Sequence, residues 1–235
     1  MAETIDRDFA RLLLNAIDDP QSYGVHQLFN DWWRFAPEAG KRSYLADFEA
    51  IPEQRAFAQE RFYAEPLTLG LLAGLPGGSL GRAYHDFLVA NRLERNLAID
   101  YRAFHEALES AGVLDDMPEP ARYAVLRGFQ THDFQHVVTG FDPSPRGEIA
   151  LQAFCLAQIR FPYFAMWLSV VATRMTFLDP DAIQPAMDAV TEGWQLGRRA
   201  RCIQFAKWEQ MLDQPLAEIR RRYRIGPAGR LSLAA

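Results

Sequence analysis

Residues 132–148 read H-D-F-Q-H-V-V-T-G-F-D-P-S-P-R-G-E. The helical period puts residues i, i+3 and i+4 on one face. His132 and His136 therefore stand roughly 40° apart around a helix axis, with Asp133 about 60° from His136. Gly140 suits the position just past a helix C-terminus, and Pro143 and Pro145 cannot continue that helix. Ser144-Pro145 reads as an N-cap followed by proline at the first helical position. Glu148 then falls in the first turn of a second helix, where a short hairpin can fold it back over the histidines. The expected product is a metal cup of two histidines and two carboxylates: His132, Asp133, His136 and Glu148. Zincin proteases have Glu directly after the first His. Asp133, a methylene shorter, disfavours that reaction and suits a ligand or a residue orienting a His.

Outward from this hairpin, almost everything reads as helix. Residues 6–17 place Phe9, Leu12, Leu13, Ala16 and Ile17 at the 3.6-residue period, stopped by Asp18-Asp19-Pro20. Residues 25–35 form a dense aromatic face with Phe29, Trp32, Trp33 and Phe35. Residues 41–63 are weaker, with a break at Pro52, and the first quarter of the chain shows no chemistry. Leu75-Pro76-Gly77-Gly78-Ser79-Leu80-Gly81 is a loop leading into a helix. It lacks the Lys-Ser/Thr of a phosphate loop, and no strand precedes it. Residues 99–110 give another short helix, and residues 120–139 a long one bearing the histidines. Residues 181–212 read as helix, with Arg198, Arg199, Arg201 and Lys207 between apolar positions. Arg220, Arg221, Arg222 and Arg224 follow. These cations suit solvated faces and helix C-termini or, alternatively, a patch for lipid headgroups or pyrophosphate. The tail after Ile225 reads as frayed.

The 235 residues are 49% hydrophobic and 23% charged, with a formal net charge of −5. That is ordinary globular composition, with ample chain for a core, and it argues against nucleic-acid binding. Cys155 and Cys202 have no metal-type spacing and read as thiols in a reducing compartment. The acidic N-terminus resembles neither a secretory signal nor a transit peptide, so a cytoplasmic, bacterial protein is expected. The most apolar run, Phe161 to Thr173, is shorter than the roughly 18–20 residues a spanning helix needs. It suits a buried helix, a lipid-tunnel wall or a membrane-surface face.

The central motif resembles the signature of a ubiquinone-synthesis family, coenzyme Q biosynthesis protein four: H-D-x-x-H, eleven residues, then E. Leu75 to Tyr84, Phe87-Leu88, Arg127, Thr139-Gly140, Gly147-Glu148-Ile149, Trp194, Gly197, Ala200 and Trp208-Glu209 extend the likeness. Phe129 departs from it, since many members carry a basic residue there. The likeness divides the chain into a loosely similar helical segment (1–60), a helical core (61–225) and a tail (226–235).

The resemblance implies one all-α domain with an apolar channel for an isoprenoid tail. It also implies a divalent metal held by His132, Asp133, His136 and Glu148: iron or zinc, with magnesium, manganese or cobalt as further options. The implied partners are a prenylated quinone precursor or other isoprenoid lipid, other ubiquinone-biosynthesis proteins and a second copy of the chain. The implied location is peripheral, on the bacterial inner membrane. Two functions are implied: oxidative decarboxylation with hydroxylation of the head-group ring, or a lipid-binding scaffold for the synthesis complex. The donor set resembles non-haem iron sites with open positions, which favours the catalyst. A His-Asp phosphohydrolase, with His85 or His105 as the upstream ligand, is a competing reading. The compact spacing to Glu148 disfavours it.

Overall fold

The computed structural model describes residues 4–60, 62 and 64–226. The tail beyond Gly226 lies outside the described residues. The fold is all-α: among the described residues there are twelve α-helices, three short 3-10 turns and no strand. The first four helices are α1 (Arg7–Asp18), α2 (Val25–Phe35), α3 (Glu38–Ala50) and α4 (Pro52–Glu60). They are followed by α5 (Leu69–Ala73), α6 (Leu80–Asn91), α7 (Tyr101–Ser110) and α8 (Glu119–Thr139). The last four are α9 (Pro145–Gln158), α10 (Pro162–Leu178), α11 (Ile183–Arg199) and α12 (Leu216–Tyr223). No helix among the described residues is long and apolar enough to cross a membrane.

The sequence punctuation works as local chemistry dictates. Asp6 accepts from the backbone N–H groups of Asp8 and Phe9 to start α1, and Ser79 accepts from Arg82 to start α6. Pro52, the expected break, is the first residue of α4. The loop ahead of α6 is stitched to the chain before α12. Leu80 donates to the Gln214 carbonyl, Gly81 to Leu212, and Leu216 back to Gly78.

The main core gathers Leu80, Tyr84 and Leu88 of α6, Phe134 and Val138 of α8, Leu151 and Phe154 of α9, and Ala189 and Leu196 of α11. Trp208 and Ile219 close it from the C-terminal side. α9 and α11 approach unusually closely. A Cβ at Gly193 would fall 1.9 Å from the Ala150 carbonyl oxygen, and one at Gly197 would fall 2.6 Å from that of Phe154. Side chains there would force the backbones apart, at about 1–3 kcal/mol or more. The N-terminal helices are not an appendage. Ala16, Val25 and Leu28 bury against Val170 of α10, while Phe29 and Trp33 bury with Leu114, Met117 and Ala121.

One expected helix is shorter than its periodicity suggests. Within 181–212, α11 ends at Arg199, and residues 200–207 run irregularly before a 3-10 turn at Trp208–Gln210. The apolar residues at 203 and 206 are buried, and several of the segment's backbone groups bond to other elements. The Gln158 side chain donates to the Gly197 and Arg201 carbonyls and accepts from Ile203 N–H. The Ala206 carbonyl accepts from Arg127. Long-range hydrogen bonds replace helical ones here.

Candidate metal centre

The hairpin that builds the site is closed by its own backbone. At the end of α8, Gly140 adopts φ 83° and donates to the His136 carbonyl. Ser144 then caps α9 by accepting from Gly147 N–H. A Cβ at Gly147 would lie 1.9 Å from the Asp142 carbonyl oxygen, so the turn needs glycine one residue before Glu148. From the far end of the chain, Arg220 of α12 donates to the Val137 and Val138 carbonyls. It thereby satisfies acceptors that a helix C-terminus leaves open.

His132, His136 and Glu148 each offer a ligand atom, and these atoms lie within 4.8 Å of one another. His136 Nε2 is 3.1 Å from His132 Nε2 and 3.1 Å from Glu148 Oε1, and His132 Nε2 is 3.4 Å from Glu148 Oε2. The His136 side chain is 1% exposed and forms the floor. His132 at 34% and Glu148 at 27% form the rim. Phe87 of α6 stacks on the His136 ring at 5.7 Å.

This donor set fits a cation. The Phe141 carbonyl, 3.0 Å from His136 Nδ1, can only accept, so Nδ1 carries the hydrogen. The lone pair of neutral His136 is then on Nε2, facing another imidazole nitrogen and a carboxylate oxygen. Such an arrangement needs a proton or a metal ion between the three atoms.

Asp133 is not in this group. One residue along a helix is a rotation of about 100°, and the carboxylate accepts a 2.9 Å hydrogen bond from Asn96 Nδ2 instead. His85 pairs with Asp86, and His105 lies 3.5 Å from Glu109. Neither joins the cup as a phosphohydrolase would require. Cys155 is buried, and burial pushes its thiol up to about 12, as expected of an inert core cysteine. Sequence patterns gave no sign of Asn96, and Phe87 enters only through the family likeness; their contacts with the site arise only when α8 meets other elements.

Burial pushes Glu148 up, but hydrogen bonds and charge from His132 and His136 outweigh it and hold the carboxyl down at about 2. Burial likewise opposes charge on His132, yet Glu148 wins and raises it above 6.5. In metal-free protein, the raised His132 contributes stability below pH 6.5 that is lost as pH rises through its folded value. The lowered Glu148 contributes above pH 4.5 and loses that contribution as pH falls towards 2. The pair thus stabilises most between these limits, whereas a metal needs His132 deprotonated. Cobalt(II) is therefore expected to raise the melting temperature more at pH 8 than at pH 5.5. An equal rise at both pH values, in thermal scans against chelator-treated protein, would count against these ligands.

A family model described as Coenzyme Q (ubiquinone) biosynthesis protein Coq4 matches residues 55–228. The chain belongs to this family. Among Coq4 relatives, it is 29% identical over 179 residues to "Ubiquinone biosynthesis protein COQ4 homolog, mitochondrial" of Rattus norvegicus, covering 75% of this chain and 62% of that protein. It is 31% identical over 165 residues to "Ubiquinone biosynthesis protein COQ4, mitochondrial" of Yarrowia lipolytica, covering 69% of this chain and 57% of that protein. The chain thus spans about 60% of the length of such relatives. A crystal structure from Nostoc punctiforme, described provisionally as a ubiquinone biosynthesis protein, superposes with a TM-score of 0.73 at 25% identity. That match covers 95% of this chain and all of the other.

Proposed function

We propose that the chain acts in ubiquinone synthesis by binding a divalent metal at His132, His136 and Glu148 and oxidatively decarboxylating the ring of a prenylated hydroxybenzoate-type precursor. The observation that supports this most is the half-open cup. Three donors converge, with two of them reaching solvent, so a substrate carboxylate has access to the metal. A redox-capable metal such as iron supplies electron transfer to dioxygen, which zinc does not. The remaining work belongs to the chain. The His136 Nδ1–H bond to Phe141 fixes which nitrogen faces the metal. Glu148 supplies charge, and Phe87 screens the floor. In the overall exchange the ring carbon's bond to its carboxylate breaks, carbon dioxide leaves, and a hydroxyl takes its place. Aromatic acid, dioxygen and water become phenol, carbon dioxide and hydrogen peroxide.

A tail would run along the seam where Ile149, next to Glu148, meets Leu168, Val171 and Met175 of α10 and Val190 of α11. The void there is about 10 Å³, room for one water, so α10 would have to part from α9 and α11. Phe177 and Leu178, 79% and 69% exposed at the end of α10, support contact with the membrane bearing that lipid.

The test is a single-turnover assay. Protein loaded anaerobically with iron(II), or with zinc as control, meets the prenylated acid and then air. Carbon dioxide loss coupled to oxygen gain, with iron alone, is the expected result. Tight lipid binding without product under any metal would instead establish a scaffold.

A further inference from the structure

Helix α2 precedes the family match, yet its second residue reaches the metal cup's side of the molecule. Val25 is buried beside Ala16, Leu28 and Val170, which fixes the helix, while His26 is exposed. Its ring stacks on Tyr163 at 5.3 Å with 16° between planes, and leans on Phe129 at 4.9 Å. Phe129 lies three residues before His132 on α8, a spacing that shares one helix face about 5–6 Å apart. Tyr163 belongs to α10, and its hydroxyl is raised first by burial and then by the charge of Glu148. His26 thus packs on a side chain about one helical turn before the rim ligand His132, near enough for the charge of His132 to act on it. Desolvation where the two rings pack on it, and then the charge of His132, lower its pKa below 6.5. Neutral imidazole offers one donor and one acceptor.

We infer that His26 is a head-group-positioning residue, hydrogen-bonding the phenolic hydroxyl of an aromatic acid whose carboxylate rests on the metal cup. The inference rests on the metal-site reading above. The hydroxyl opposite a benzoate carboxylate lies across one ring, a span comparable to the helical turn between His132 and Phe129. Phe129 and Tyr163, packed against His26, hold its ring in place and make its surroundings apolar. The N-terminal segment would thereby select hydroxylated rings.

The test loads the full chain with cobalt(II), whose visible spectrum reports its ligands, and titrates it with 4-hydroxybenzoate and with benzoate. Wild type is expected to prefer the hydroxylated acid about fivefold, the worth of one net hydrogen bond. His26→Phe keeps the ring stack and is expected to bind cobalt and benzoate unchanged while losing the preference. His26→Gln, which retains a donor and an acceptor, recovers part of it. Wild type that takes cobalt but binds both acids alike overturns the inference and leaves the metal site standing. So does a preference that persists in His26→Phe, or benzoate binding lost equally in both variants. Wild type that takes no cobalt overturns the metal reading and this inference with it.

Discussion

Arg127→Ala is expected to destabilise the protein by about 3–5 kcal/mol, the typical consequence of removing one partner from a buried ion pair. The Arg127 side chain is 1% exposed and meets Glu209, itself 9% exposed. Its two terminal nitrogens donate to the two carboxylate oxygens at 2.7 and 2.8 Å. The same nitrogens reach Gln130 and the Ala206 carbonyl, and the guanidinium lies over the rings of Phe57 and Phe62. Alanine would strand the Glu209 carboxylate and uncover the backbone of the irregular 200–207 segment together. Against a typical total of about 5–15 kcal/mol, that is a large share. Arg127→Lys is expected to rescue little, because a single ammonium cannot match the fork. The double variant Arg127→Met with Glu209→Met should recover most of the loss, since no charge is then left unpaired. Urea unfolding measures all three. A loss below about 1 kcal/mol for Arg127→Ala would show the pair to be no better than a surface one.

His136→Ala carries the largest expected functional effect: metal affinity falls by at least about 100-fold, beyond the usual cost of losing a residue that merely supports a ligand. Of the three converging donors it is the buried one, and its orientation is set by the Phe141 carbonyl at 3.0 Å. Its removal opens the floor of the cup and leaves that carbonyl without its partner, at about 1–3 kcal/mol of stability. Asp133→Asn is the informative contrast. Its carboxylate lies against Asn96, outside the trio, so a smaller loss is expected. Cobalt(II) titration with a competing chelator resolves the two variants. Equal affinity in His136→Ala and wild type would remove His136 from the ligand set and take the proposed chemistry with it.

Helices bounded by Asp6, Pro52, Ser79, Pro118 and Ser144 follow from groups within four residues of one another, so the all-α class is legible in the chain. The same locality explains the cup. His132, His136 and Glu148 come from one hairpin, so period, proline and glycine suffice to bring them together. Other features depend on partners scores of residues away. Asn96 drawing Asp133 aside, Arg127 clasping Glu209, and the end of α11 at Arg199 have no local signal, because packing decides which hydrogen bonds can be made. His26 is the extreme case. Read alone, it is a polar residue at the start of an aromatic helix. Only when α2 docks on α8 and α10 does its ring rest on Phe129 and Tyr163. Local chemistry determined the helices and the donors, whereas burial of apolar faces between distant segments decided what surrounds them.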